Sequence, residues 1–258
     1  AVLLGGAVSP ARLAQAAEWR PGAILQAAGL WFFAFSGYAR LATLGVEVVD
    51  PRRTIPRAIP LALGIALVLY GLVALSALLA VDAAALGQAA APLVLAVQAG
   101  RFAAWSPLVR FGAAVASLGV LLSLIVGISR TVFAMAANRD LPHWLASVHP
   151  RQRVPRRAEL AVGLIVVLLV ALTDLRAAIG FSAFTVLLYY AVTNAAALQL
   201  APAERRWPRS VAAAGLLGCV LLAFSLPPAS VLAGVLVLGI GAALYALSRA
   251  AAPRPWWR

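Results

Sequence analysis

Residues 211–248 contain no charged side chain over 38 consecutive positions. A stretch of that kind cannot lie on the surface of a small water-soluble domain. A bilayer core about 30 Å thick asks for about 20 apolar residues per crossing helix, so the run is long enough to cross twice. Pro227 and Pro228 stand at its middle, where the missing N–H and fixed φ end a helix. The reading is two helices, about 211–225 and 230–248, joined by a tight turn.

The same reading places five more spans. Residues 23–46 form an interrupted one, 60–81 an unbroken one, and 108–129 a third with Arg110 near one end, where its guanidinium reaches the interface. Residues 160–173 offer only 14 uncharged positions and span only if their ends rest on Arg157 and Arg176. A fifth lies at 177–203. Residues 82–106 form an Ala-rich connection with room for a short interfacial helix at 93–98. The expected fold class is therefore all-α, a multi-pass transmembrane helix bundle of seven spans. Residues 1–8 are apolar but too short to cross, and they lack the basic region and cleavage site of a signal peptide. They read as the tail of a preceding helix, which would make the chain a fragment.

Composition agrees. Hydrophobic residues make up 64% of the chain and charged ones 11%, against about 45–50% and 25% in soluble domains. The net charge of +13 comes from 21 basic residues, all arginine, parcelled into short clusters between uncharged runs. Charge divided in this way builds no basic face for nucleic acid. It does set orientation. Loops at 47–58, 130–157, 202–210 and 249–258 hold 3, 6, 3 and 3 arginines, while those at 9–20, 82–107, 174–176 and 225–229 hold 2, 1, 1 and 0. The positive-inside rule puts the first set, and the C-terminus, in the cytoplasm. Pro253, Trp256, Trp257 and Arg258 then read as an interfacial anchor. The Ala, Arg, Leu and Gly bias without lysine points to a high-GC bacterial genome, hence the cytoplasmic (inner) membrane.

The chemistry concentrates in the interrupted first span, at Phe32, Phe33, Ala34, Phe35, Ser36, Gly37, Tyr38, Ala39 and Arg40. Glycine in a membrane helix commonly marks close packing, and that reading stands open for Gly37. Arg40 favours another, because a guanidinium inside a span is costly and must face a cavity, a partner or water. A Ser-Gly step one turn away suits a helix break. Unwound backbone and half-helix dipoles there can hold a carboxylate or an ammonium, and irregular backbone at that depth is tolerated only where it lines a cavity.

The stretch 32–59 reads FFAFSGYARLATLGVEVVDPRRTIPRAI. It resembles the sixth transmembrane helix and following loop of the amino acid, polyamine and organocation (APC) superfamily of permeases. Residues 129–158 (SRTVFAMAANRDLPHWLASVHPRQRVPRRA) are similar to that family's cytoplasmic loop after its eighth helix, and 187–200 (LLYYAVTNAAALQL) to its tenth helix. The resemblance covers about 21–203 in order and implies the second half of a five-plus-five inverted-repeat transporter fold plus two extra helices. Residues 1–22 would be the end of a preceding transmembrane helix and an external loop, 23–203 the second repeat, and 204–258 two additional helices and a cytoplasmic tail. The first repeat, with the other half of the substrate site, would be a missing partner.

The implied function is secondary active transport of amino acids or related amines, coupled to protons or sodium and without a cofactor. Carried over by position, Phe33 falls at an aromatic gate, and Ala34, Phe35, Ser36 and Gly37 on the unwound stretch. Tyr38 and Arg40 complete the candidate substrate site. Ala39 stands where some members carry an acid, and Arg40 departs from the pattern, which favours a neutral or anionic substrate over a cationic one. Glu47, Asp50, Pro51 and Arg53 form a loop with a candidate gating role. The plain alternative is a cytoplasmic turn whose prolines stop one helix and start the next while arginine meets lipid phosphate.

Other polar residues carry less. His143 and His149 lack a third ligand for a metal. Tyr189, Tyr190 and Asn194 face either a cavity or a neighbouring helix. Cys219 is alone, so neither a disulfide within the chain nor a cysteine metal cluster can form. No phosphate loop, nucleophile elbow or HExxH pattern occurs, and no carboxylates or histidines cluster within the spans, which argues against an enzyme. An inactive truncated protein or a membrane scaffold remains the alternative to a transporter.

Overall fold

The computed structural model describes residues 9, 20–37, 48–149 and 154–251. Every regular element among them is helical: α1 (Pro21–Phe32), α2 (Pro51–Ala80), α3 (Ala83–Gln88), α4 (Pro92–Gln98), α5 (Ser106–Ala137), α6 (Arg156–Leu172), α7 (Leu175–Leu198), α8 (Arg209–Phe224) and α9 (Pro228–Ala251). Stretches at Arg53–Ala80, Ala103–Ala137, Leu175–Leu198 and Pro228–Ala246 are long and apolar enough to cross a membrane, and α8 is a shorter apolar helix. Large apolar side chains such as Leu118, Leu122, Leu164, Val170 and Leu236 stand exposed along these helices. In water such surfaces would aggregate; in lipid they are at home. The chain is an all-α, multi-pass membrane protein.

The marginal span is helical as α6, whose 17 residues extend about 26 Å. The turn expected at Pro227 and Pro228 lies between α8 and α9, with Pro228 as the first residue of α9. The interfacial helix expected at 93–98 is α4, and α3 precedes it in a stretch that gave no helical signal of its own.

The stretch 50–60 departs from expectation. Its prolines were read as separating two helices, with a span opening at Pro60. Instead α2 begins at Pro51 and carries Pro56 and Pro60 inside it. Asp50 caps it in the left-handed region (φ 48°, ψ 63°), and its carbonyl accepts from the amides of Arg53 and Thr54 at 3.1 and 3.0 Å. Pro51 at the first helical position sacrifices only an amide that no helix uses. The Thr54 hydroxyl donates to the carbonyl of Val49 at 2.9 Å, tying the first turn to the chain before it. Pro56 and Pro60 each remove one i to i−4 donor, but four-residue spacing puts both gaps on one face. The helix tolerates the loss because the remaining faces keep their ladder.

Contacts divide the chain into two compact units, Ala1–Ala23 with Ala34–Leu118 and Ile24–Phe33 with Gly119–Arg258. In the first, the end of α2 packs on α4 through small side chains. Ala77, Ala80 and Ala96 are buried, with Val81 and Leu86 against them. The amide of Ser9 donates to the carbonyl of Leu79 at 3.0 Å.

The second unit is organised around α7, which buries Gly180, Ala183, Phe184, Leu187, Tyr190 and Ala191. Ala183, Phe184, Leu187, Ala223 and Leu226 form its core, with Leu30, Phe32, Cys219 and Val231 packed round them. Four glycines permit the close approach. Leu226 and the carbonyl of Leu222 lie about where a Cβ on Gly29 would need space, at 3.0 and 3.1 Å, and Asn194 Oδ1 is 2.5 Å from such a position on Gly215. Ser230 fills the space over Gly180, and the ring of Phe184 fills that over Gly234. The last two pairs advance together by four residues, so α7 and α9 run parallel, as three consecutive up-and-down helices require.

Hydroxyls within spans are satisfied locally. Fully buried Ser129 donates to the carbonyl of Ile125 at 2.6 Å, and Thr193 to that of Tyr189 at 2.9 Å. α5 ends on Arg139 in the left-handed region (φ 66°). The amide of Asp140 reaches back to Met135 at 2.9 Å and that of Arg139 to Ala136 at 3.1 Å. This is a Schellman closure with arginine where glycine is usual.

Candidate substrate site

α1 loses regular α-geometry at the position singled out by sequence. It ends at Phe32, and residues 33–37 continue as a 3₁₀ turn. The composition favours this. Trp31, Phe32, Phe33 and Phe35 are poor helix formers because their rings crowd the preceding turn, Ser36 competes for backbone partners, and Gly37 adds chain entropy. A 3₁₀ stretch inside a span replaces i to i−4 bonds with tighter, weaker i to i−3 ones.

Phe33, Ala34, Phe35, Ser36 and Gly37 all lie on this turn. Phe33, Ala34 and Gly37 are exposed, and Phe35 and Ser36 half-buried. Among the described residues nothing lies within 4 Å of a Cβ built on Gly37. Gly29, Gly180, Gly215 and Gly234, by contrast, each have a described neighbour within that distance. Tyr38, Arg40 and Glu47 lie outside the described residues.

Each compact unit carries one aromatic pair next to the turn in sequence. Phe32 meets Tyr190 of α7 edge-on, with ring centroids 5.6 Å apart, and Tyr190 meets Tyr189 at 5.4 Å. Phe35 meets Tyr70 of α2 edge-on at 5.3 Å. Such pairs contribute about 0.5–1.5 kcal/mol each beyond burial. Sequence reasoning did not find Tyr70. The only signal it offers is a phenol in the otherwise aliphatic stretch 61–75.

The expected loop site is not a loop in this structure. Pro51 and Arg53 occupy the first turn of α2, and Asp50 is its cap. Arg53 Nε stands 3.7 Å from Asp50 Oδ2 with both side chains largely exposed, a geometry that contributes little in water. Asn194 donates through Nδ2 to the carbonyl of Tyr190 at 2.8 Å and turns its Oδ1 to Gly215 of α8. It belongs to helix packing. Tyr190 is buried in the same packing, while Tyr189 is exposed. His143 Nδ1 lies 3.4 Å from the carbonyl of Ala136. Among the described residues no three His, Cys, Asp or Glu side chains are grouped to hold a metal.

A family model described as amino acid permease matches residues 17–256. An uncharacterised transporter of Mycobacterium tuberculosis (strain ATCC 25618 / H37Rv) is 56% identical over 244 residues, which is 95% of this chain and 56% of the relative. Cationic amino acid transporter 4 of Homo sapiens is 37% identical over 160 residues, covering 62% of this chain and 25% of that protein. The branched-chain amino acid permease BcaP of Bacillus subtilis (strain 168) is 28% identical over 166 residues, covering 61% and 35%. The chain spans little more than half the length of its mycobacterial relative and less of the other two.

Proposed function

The chain belongs to the amino acid permease family, and from that premise we propose that it is the substrate-binding second half of a secondary active transporter for amino acids or related amines. The observation that carries the reading is the loss of α-geometry at 33–37 between aromatic neighbours. A bilayer offers no water to unpaired backbone groups, so a span departs from the α-helix where its amides and carbonyls have another task. Holding the ammonium and carboxylate of a zwitterion is such a task.

Phe33 would close over the substrate, the backbone of Ala34, Phe35, Ser36 and Gly37 would meet its charged groups, and Tyr38 and Arg40 would border it. Movement would be driven by a proton or sodium gradient and would need no cofactor. Helices of a first repeat would supply the facing half of the site. Relatives are named for cationic and for branched-chain amino acids. Arg40, which the sequence reads into this span, would disfavour a further positive charge, and a neutral or anionic amino acid is the proposed substrate.

A chimera tests this. In it the chain replaces the matched 244 residues of the mycobacterial relative. Proteoliposomes carrying the chimera and an imposed proton or sodium gradient are expected to accumulate a radiolabelled neutral or anionic amino acid. A correctly folded chimera that accumulates none of the common amino acids under either gradient would leave the scaffold reading in place.

The arginine distribution supports a cytoplasmic C-terminus in a bacterial inner membrane. Fused reporters are expected to place the position after Arg176 outside and that after Arg258 inside. The opposite pattern would reverse the orientation.

A further inference from the structure

Between the end of the 3₁₀ turn His143–Ala146 and the start of α6 lies a cleft of about 330 Å³, lined by Ser147, Val148, His149, Arg156, Arg157 and Leu160. It lies within one compact unit and includes none of the candidate substrate-site residues, and nothing in the proposed transport cycle uses it. We propose that it binds the phosphate headgroup of an anionic phospholipid, fixing α6 at the cytoplasmic interface.

Three features of the cleft meet that chemistry. Its polar lining is cationic. Two guanidiniums, each able to fork onto phosphate oxygens, stand at the first two positions of α6, and Ser147 and His149 also line the cleft. Its lining also includes the apolar Val148 and Leu160, which a glycerol backbone and the first acyl carbons could meet. A soluble anion has no use for those two side chains.

The third feature is depth. The uncharged run of α6 begins at Leu160, one turn after Arg156, so the cleft sits where hydrocarbon gives way to headgroups. Exposed Trp144 stands beside it, its carbonyl accepting from Arg157 Nη1 at 3.4 Å. Indole at that level is the ordinary mark of the interface. Basic clefts beside spans on the cytoplasmic side suit anionic headgroups. The helix itself adds to the attraction. α6 starts on Pro155, which offers no side-chain acceptor to its first amides, and an uncapped N-terminus carries partial positive charge.

Glu159 is the one acid in the first turn of α6. It is half-buried and does not line the cleft, so it lowers the local potential without occupying the site. The shorter length of α6 gives the site its use. A helix of 17 residues is held at one depth less firmly than one of 30, and a bound headgroup would anchor its cytoplasmic end.

Native mass spectrometry of the purified protein in mild detergent, titrated with phosphatidylglycerol and with phosphatidylcholine, tests the proposal. The parent is expected to prefer phosphatidylglycerol by about tenfold or more, the scale that two surface cations confer. Arg156→Gln with Arg157→Gln should remove most of that preference, while Arg176→Gln, in the first turn of α7 beyond the far end of α6, should leave it intact. Leu160→Trp fills the apolar part of the lining and keeps both charges, so it should also weaken phosphatidylglycerol binding. Circular dichroism confirms that each variant is folded. Equal affinity for the two lipids overturns the proposal. So does loss of preference in the arginine variant with none in Leu160→Trp, which would mean diffuse charge attraction. Glycerol phosphate or inorganic phosphate displacing the lipid at equal concentration would make the ligand a soluble anion and overturn the lipid assignment.

Discussion

Gly37→Leu is expected to abolish amino acid uptake by the chimera, by about a hundredfold or more, the scale of loss when a reacting or binding geometry is displaced by an ångström. The expectation rests on what the glycine does not do. Nothing among the described residues lies within 4 Å of a Cβ at this position, so a side chain there displaces none of them. Leucine would instead favour continuation of α1 through the 3₁₀ turn, because it prefers the α-helix over glycine by about 1 kcal/mol, and its side chain would fill space assigned to substrate. Gly37→Ala separates the two effects. It should leave folded yield and thermal stability unchanged or slightly raised, while uptake falls. If Gly37→Leu transports like the parent at equal folded yield, the backbone at 33–37 is not the substrate's seat.

The second large effect is structural. Phe184→Ala should lower stability by about 3 kcal/mol or more, since the fully buried ring leaves a void that neighbours refill only in part. Gly234→Ala attacks the same contact from the other side, placing a methyl where the Phe184 ring now lies, at a cost of about 1–3 kcal/mol. The two should couple. Phe184→Leu combined with Gly234→Ala should cost clearly less than the sum of the single changes, because the smaller side chain makes room for the methyl. Unfolding titrations in detergent with added denaturant measure the parent, Phe184→Ala, and the cycle of Phe184→Leu, Gly234→Ala and their combination. Additive single costs would mean that the ring and the glycine do not depend on each other.

What the sequence disclosed follows from what is local. Long uncharged runs locate the spans because their length is set by the bilayer, a constraint outside the chain. The same counting failed at 50–60, where Pro56 and Pro60 were read as breakers; the structure threads both through α2 with their missing donors on one face. α3 escaped notice because six Ala-rich residues carry no periodicity. The loss of α-geometry after Phe32 was legible at the Ser36-Gly37 step, a pair suited to ending a regular helix. Its supports were not. The pairings of Phe32 with Tyr190 and of Phe35 with Tyr70 join residues far apart in the chain, and nothing near Phe32 or Phe35 announces them. Nor does sequence distinguish among the 20 glycines. Gly29, Gly180, Gly215 and Gly234 are seats for other helices, whereas Gly37 has no described neighbour within 4 Å of its Cβ position.

The two interlocked pairs between α7 and α9 act as a detent against slippage along the membrane normal. Lipid tails grip every apolar helix alike and offer no preferred height. Sliding α9 by one turn would bring the Ser230 side chain onto the Phe184 ring and leave Gly180 facing an unfilled hollow. Neither arrangement can be relaxed by a rotamer change alone. These helices are therefore geared to travel together, and any movement that shifts one must carry the other with it.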